Sequence, residues 1–172
     1  NKDIVLENAV LAPSSGYAVT GQGASGGEIL RNCVITKGGI SNLALGENLT
    51  VFDPDPAVEP AITDSYLVNC LIEYGTVITN STLENCDIAA TDGYFVSVST
   101  GDFRLLSTAA NAIDKGKNLS AEFTSDISGN NRGVDVLDIS NFDSGAWDIG
   151  AHEFVLDAGY SDVTITVIES PV

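Results

Sequence analysis

The sequence predicts an all-β chain: a right-handed parallel β-helix (solenoid) with an irregular C-terminal capping segment and a terminal strand. Three observations carry this. Seventeen glycines and only seven Lys plus Arg in 172 residues favour strands punctuated by turns over long amphipathic helices. A six-residue template recurs along the first hundred residues. Aliphatic residues also return every five positions, a period that is neither helical nor that of a flat strand.

The template occurs as Leu6–Leu11, Leu30–Ile35, Leu67–Ile72 and Leu83–Ile88: an aliphatic, then Asn two residues on, then Ala or Cys, then an aliphatic in the sixth place. Side chains of a flat strand alternate faces, so Leu30 and Cys33 can both point inward only across a bend. Asn tolerates left-handed backbone and bonds its own backbone, so Asn8, Asn32, Asn69 and Asn85 read as equivalent corners. Ala9, Cys33, Cys70 and Cys86 then stack in the core. Stacked strands lie ~4.8 Å apart, wider than the Cβ separation a disulfide prefers, so the cysteines are expected as free thiols. The five-residue series are Leu30, Ile35, Ile40, Leu45; Leu67, Ile72, Val77; and Ile78, Leu83, Ile88. They describe short strands wrapping a narrow core. The corners stand 24, 37 and 16 positions apart, and the longest interval holds a proline-rich loop, residues 53–60. Sixteen residues is tight for a three-sided coil, which leaves a four-sided coil of the pentapeptide-repeat kind as the second reading.

Residues 1–100 are therefore assigned to coils, 101–157 to the capping segment and 158–172 to a terminal strand and linker. Ser107–Gly116 has the Ser/Thr start, Ala-rich body and closing Gly of a short helical turn. A Gly-, Asp-, Asn- and Ser-rich loop follows, and Asp162–Ile168 is dense in β-branched residues, as a strand should be.

A formal net charge of −17 makes nucleic acid and anionic membrane poor partners. No run approaches the ~20 apolar residues of a membrane span. The chain starts at Asn1 without Met or a signal peptide, and is expected to be a processed or excised piece.

Four ordered motifs carry a resemblance: residues 102–106 (DFRLL), 112–116 (AIDKG), 125–133 (SDISGNNRG) and 148–154 (DIGAHEF). In this order they resemble the closing signature of bacterial β-helix surface proteins of the choice-of-anchor Q type, and the ending of some β-helix polysaccharide lyases. The resemblance covers about a third of the chain. It departs at His152, where the family usually has Tyr, and at Asn131, where it has Pro. It implies a parallel β-helix exported from a bacterium to the cell surface or the medium. It also marks Asp126, Gly129, Arg132, Asp148, Gly150 and Glu153 as the capping signature.

The chemistry-bearing residues mostly read as structural. His152 is the only histidine and stands at an aromatic position, which makes it a packing residue and leaves zinc without ligands. A Ser-His-Asp triad would have to be built on His152 alone, and no Gly-x-Ser-x-Gly occurs. Acid pairs are unspecific among 24 Asp and Glu. A β-eliminating lyase needs cations at the substrate carboxylate, and Arg31, Lys37, Arg104, Lys115, Lys117 and Arg132 are scattered. No cofactor is expected. Calcium is the one alternative, on Asp126–Asn130 or on Asp53, Asp55 and Glu59, against ordinary Asx-turn geometry. Arg132 is expected to pair with Asp148 or Glu153. Sequons at Asn48, Asn80 and Asn118 matter only in a glycosylating host.

The function these readings favour is a non-catalytic structural or adhesive module of an extracellular protein. The alternative is the C-terminal part of a polysaccharide lyase or glycan-binding protein, with Tyr66, Tyr74 and Tyr94 as sugar platforms. The first template begins almost at Asn1, so the N-terminal coil is expected to be covered by upstream coils of the same chain or by a neighbouring identical subunit, Val163–Ile168 being the strand for exchange.

Overall fold

The structure is a computed structural model that describes residues 4–14, 16–22, 27–53, 55, 60–133 and 146–155. Its strands come in strict rotation. The first coil gives β1 (Ile4–Glu7), β2 (Val10–Leu11) and β3 (Val19–Thr20); the second gives β4 (Glu28–Arg31), β5 (Val34–Ile35) and β6 (Ile40–Ser41). The third gives β7 (Leu45–Glu47), β8 (Thr50–Val51) and β9 (Ala61–Thr63); the fourth gives β10 (Tyr66–Val68), β11 (Leu71–Glu73) and β12 (Val77–Thr79). A fifth holds β13 (Thr82–Glu84) and β14 (Asp87–Ala90). Every third strand joins the same sheet: β1-β4-β7-β10-β13 form sheet A, β2-β5-β8-β11-β14 sheet B and β3-β6-β9-β12 sheet C, all paired in parallel. The chain is thus all-β with stacked parallel sheets, an arrangement consistent with a β-helix-like solenoid. Three sheets, not four, receive the strands, which removes the four-sided reading.

The five-residue period follows from this geometry. Leu30, Ile35 and Ile40 are one inward residue from each sheet of a single coil, all buried. Columns then run through the stack in register: Leu6, Leu30, Gly46, Leu67 and Leu83 on sheet A, and Val19, Ile40, Ile62 and Ile78 on sheet C. The period breaks at Val77 because Ile78 takes the inward place, packed against the core, while Val77 is exposed.

Asn8, Asn32, Asn69 and Asn85 all have φ between 49° and 55° and link sheet A to sheet B. Asn48, with φ 52°, is a fifth corner of the same kind. It splits the 37-residue interval into two coils of 16 and 21 residues, so 16 is an ordinary coil length here. The template is disguised at this corner by a volume exchange. Gly46 stands where the other coils have Leu, and Leu49 where they have Ala or Cys. A Cβ on Gly46 would lie 2.7 Å from Leu49 Cδ1 and 2.6 Å from Leu67 Cδ2, so Leu49 occupies the missing side chain's space. Gly46→Leu is therefore expected to destabilise the fold by about 1–3 kcal/mol through overpacking. Adding Leu49→Cys should recover most of that loss, since the pair restores the template of the other coils. A denaturant-midpoint double-mutant cycle measures the coupling, and additive losses would disprove the exchange.

A second corner joins sheet C to sheet A at Asn42, Asp64 and Asn80, again with positive φ. Its signature is an inward aliphatic, then Ser or Thr, then Asn or Asp (Ile40-Ser-Asn, Ile62-Thr-Asp, Ile78-Thr-Asn). Hydroxyls line this edge: Thr63 Oγ1 donates to Ser41 Oγ at 3.0 Å, and Ser65 Oγ donates to the Thr63 carbonyl while accepting from Leu43 N.

After β14 the chain turns onto the outside of sheet B as an antiparallel pair, β15 (Phe95–Ser97) and β16 (Asp102–Leu105). Ser107–Gly116 is a run of turns, Ala112 and Ile113 both donating to the Ala109 carbonyl, and not a helix. Phe95, Phe103, Leu105, Ala109, Ala112, Ile149 and Ala151 bury Val34, Phe52 and Leu71 in a second core. The described residues of the region expected over one end of the coils, 101–133 and 146–155, thus lie along their flank, because the outer face of sheet B is itself apolar there. The terminal strand over 162–168 falls outside the described residues.

Candidate functional site

The flank segment is held on a seam built from the A–B corner. A left-handed corner projects its Asn side chain outward at the same place in each coil, which makes a ladder. Asn85 Nδ2 donates to Asn69 Oδ1 at 2.9 Å, and Asn69 Nδ2 to Asn48 Oδ1 at 3.2 Å. Each rung also grips the flank backbone. Asn85 donates to the Lys115 carbonyl, Asn69 to Lys117 O while accepting from Lys117 N, Asn48 to Asp148 O and Gly150 O, and Asn32 to Ser125 O. Side-chain amides suit this job because each offers two donors and an acceptor to an extended backbone. Asn48 and Asn69 are fully buried by it, which leaves the Asn48 sequon inaccessible.

At the second and third rungs the flank brings together two of the four closing motifs, residues 125–133 and 148–154. Arg132, 6% exposed, donates through Nη2 to Asn32 Oδ1 at 2.8 Å and to the Gly150 and Ala151 carbonyls, both at 3.0 Å. Its Nη1 pairs with Glu153 Oε2 at 3.0 Å and reaches the Asp148 carbonyl. Of the two acids expected for it, Glu153 takes the ion pair and Asp148 contributes its backbone. The guanidinium also lies over the Trp147 and Phe123 rings, at 5.4 and 5.9 Å to the centroids. Glu153 in turn accepts from Gly133 N, and Asp148 from Asp114 N and Phe154 N. Gly129 and Gly150 adopt positive φ here, 86° and 103°. Beside this hub Arg31 is clamped by Glu47 at 2.7 Å and Glu122 at 2.6 Å, with Glu7 at 3.4 Å.

Asp126 accepts four N–H bonds: from Ser128 N and Asn130 N on one oxygen, and from Asn130 Nδ2 and Glu153 N on the other. This is Asx-turn chemistry, with both oxygens engaged by donors. Asp53 likewise caps Asp55 N at 2.9 Å; Glu59, its expected companion, lies outside the described residues. Among the described residues no three His, Cys, Asp or Glu side chains are grouped to hold a metal ion. Cys33, Cys70 and Cys86 are free thiols stacked with Ala9 and Leu49.

His152 is half-buried, its Nδ1 3.3 Å from Ser128 Oγ. Burial lowers its pKa, favouring the neutral ring. Ser128, His152, Asp102 and Arg104 line a cleft of about 400 Å³ floored by Val10, Val34, Phe103 and Ile127. No carboxylate hydrogen-bonds the imidazole among the described residues, so a Ser-His pair is present without the group that would orient it. Arg104 is paired with Asp102 at 2.7 Å. Tyr66, Tyr74 and Tyr94 do not make one platform. Tyr66 starts a sheet A strand and donates to Glu84, Tyr74 sits in the turn after β11, and Tyr94 is half-buried on the flank, donating to Asp87.

Burial pushes the Asp148 carboxyl up to about 7, with the Glu153 carboxylate beside it adding to the effect. Glu153 is raised as well, again by burial. The folded chain thus holds a proton that the unfolded chain releases near pH 4. Stability from Asp148 is full below that pH and is lost as pH rises to about 7. His152, shifted down, works the opposite way through the ordinary histidine range. The flank is expected to melt at lower temperature at pH 8 than at pH 5, read by fluorescence of Trp147, the sole tryptophan. Asp148→Asn should flatten that dependence; an unchanged slope would assign it elsewhere.

Sequence reasoning missed Asn48, Glu122 and Phe123 as partners of the seam, and Ser128 as the partner of His152. Among the described residues no helix is long and apolar enough to cross a membrane. Comparison with protein-family models, with curated proteins and with solved structures finds no match.

Proposed function

We propose that this chain is part of a right-handed parallel β-helix that serves as a non-catalytic structural or adhesive module at a bacterial cell surface, of the choice-of-anchor Q kind. One observation carries the reading: the polar residues that look functional in sequence are spent on fastening the flank. Arg132, Glu153, Asp148, Asp126 and four asparagines bond one another and the backbone. Arg31 and Lys117 are held by carboxylates, so the cations do not converge on a groove that would bind a uronate. A stack closed on its side in this way is a stiff spacer, and its ends are where upstream coils or an identical neighbour would pair. The test is a panel of neutral and uronate-containing glycans, assayed for reducing ends and for unsaturated products. No turnover is expected. Cleavage abolished by one change at Ser128, His152 or Arg104 would overturn the reading.

The cleft beneath His152 favours a second reading, a glycan-binding C-terminal part of a larger polysaccharide-degrading protein. Oligosaccharide titration against the Phe103 and His152 resonances separates this reading from the first.

A further inference from the structure

We propose that the groove on the outer side of the β15–β16 pair receives residues 162–168 of the same chain. The pair buries one side only. Phe95, Phe103 and Leu105 pack toward the coils, whereas Val96 on β15 and Leu106 just past β16 are 44% and 37% exposed. Val155, 40% exposed, closes the same groove from the far side, next to Phe154. The groove encloses about 630 Å³, within the roughly 300–1,000 Å³ of sites that hold a bound group. Its charges are already balanced, Arg104 being paired with Asp102 at 2.7 Å and Glu153 with Arg132 at 3.0 Å. The groove therefore suits an uncharged, branched aliphatic occupant. No residue of the first coil lines it.

Composition, reach and charge select the occupant. The run from Val163 to Ile168 is uncharged and alternates, so an extended chain carries Val163, Ile165 and Val167 on one face and Thr164 and Thr166 on the other. Such a segment buries one side against an apolar wall. Val155 lines the groove itself, and the eight residues from it to Val163 span at most ~26 Å, so the run reaches every wall. A tether this short holds the run at an effective concentration near the millimolar range, well above that of a second copy in dilute solution. Residues 134–145 fit less well. They carry Asp135, Asp138 and Asp143, and each carboxylate entering a charge-balanced groove costs desolvation. Both their ends are also fixed at the hub, Gly133 N on Glu153 Oε1 and Trp147 against Gly116 and Phe123. This inference goes beyond the structural-module reading and does not depend on it: the flank is fastened to the coils by the asparagine seam, and its outer side is covered by this run.

Methyl NOE spectroscopy of the full chain, with isotope-labelled Ile, Leu and Val, tests this without a variant. Cross-peaks are expected from the Val96, Leu106 and Val155 methyls to those of Val163, Ile165 and Val167. In an equal mixture of labelled and unlabelled chains, a spectrum filtered for contacts between molecules should contain none of them. Amide exchange gives a second reading. Ile165→Asp puts a charge on the buried face and should speed exchange at Val163–Val167 roughly tenfold, whereas Thr164→Asp, on the other face, should leave it near the wild-type rate. Wild-type protection at Ile40 shows that both variants keep their coils. Absence of the cross-peaks, cross-peaks to Val136, Leu137 or Ile139 in their place, survival of the peaks in the filtered spectrum, or equal effects of the two variants would each overturn the proposal. Glycan cleavage, by contrast, would overturn the structural-module reading and leave these contacts as they are.

Discussion

Arg132→Met is expected to lower stability by about 3–5 kcal/mol, the largest loss of any single change in the flank. The guanidinium is the only cation among the described residues of the hub, and its two terminal nitrogens serve Glu153, Asn32 Oδ1 and the carbonyls of Asp148, Gly150 and Ala151. Methionine keeps the apolar stem and the ring contacts but leaves the buried Glu153 carboxylate without its counter-ion and takes one donor each from Asn32 Oδ1 and the Asp148, Gly150 and Ala151 carbonyls. Removing one partner of a buried pair costs far more than the intact pair contributes. Arg132→Lys should recover less than half, since one ammonium cannot span Glu153 on one side and Asn32 on the other. Guanidinium unfolding followed by Trp147 fluorescence reads the flank, and amide exchange at Ile35, Ile40 and Ile72 reads the coils. Loss confined to the first signal is the expected outcome. A variant within 1 kcal/mol of wild type would show that water satisfies the hub.

What the sequence made legible divides along a physical line. The coils were readable where the inward residue kept its size, because a stacked core repeats one side chain at one place. They became invisible at Asn48, where Gly46 and Leu49 exchange volume: a core constrains the sum of neighbouring volumes, not each residue. The C–A corner was missed although its aliphatic-Ser/Thr-Asn/Asp signature is regular, because the residue after it is not repeated from coil to coil, being Leu43, Ser65 and Ser81. The ordered motifs at 125–133 and 148–154 do meet in space, around Arg132. Their place on the flank could not be read from spacing. It depends on which face of sheet B is doubly apolar, and Val34 and Leu71 differ from an ordinary outward column only in being packed in one buried cluster with Phe95 and Phe103. An outward apolar column beside an inward one is the signal for such a layer.

Asn48→Ala is expected to cost about 3–4 kcal/mol, from two separable causes. The backbone at this corner sits at φ 52°, where a Cβ without a local hydrogen-bonding group is strained by roughly 1–2 kcal/mol. The side chain, fully buried, donates to the Asp148 and Gly150 carbonyls and accepts from Asn69, so truncation leaves both carbonyls to Arg132 alone and takes from the Asn69 amide one of its two acceptors. Asn48→Gly separates the two, since glycine accepts the left-handed backbone freely but lacks the amide. It should recover about 1 kcal/mol of the loss and no more. Asn48→Asp isolates the second cause from the other side. Aspartate tolerates the conformation and keeps an acceptor for Asn69, but faces two carbonyls with a carboxylate close to Asp148 and Glu153. It should therefore be the worst of the three at pH 8 and improve on acidification, when the carboxyl takes up a proton and becomes a donor. Thermal unfolding of the three variants at pH 5 and pH 8 decides this. If glycine fully restores stability, Asn48 is a backbone corner only, and the seam is held by Arg132 without the ladder.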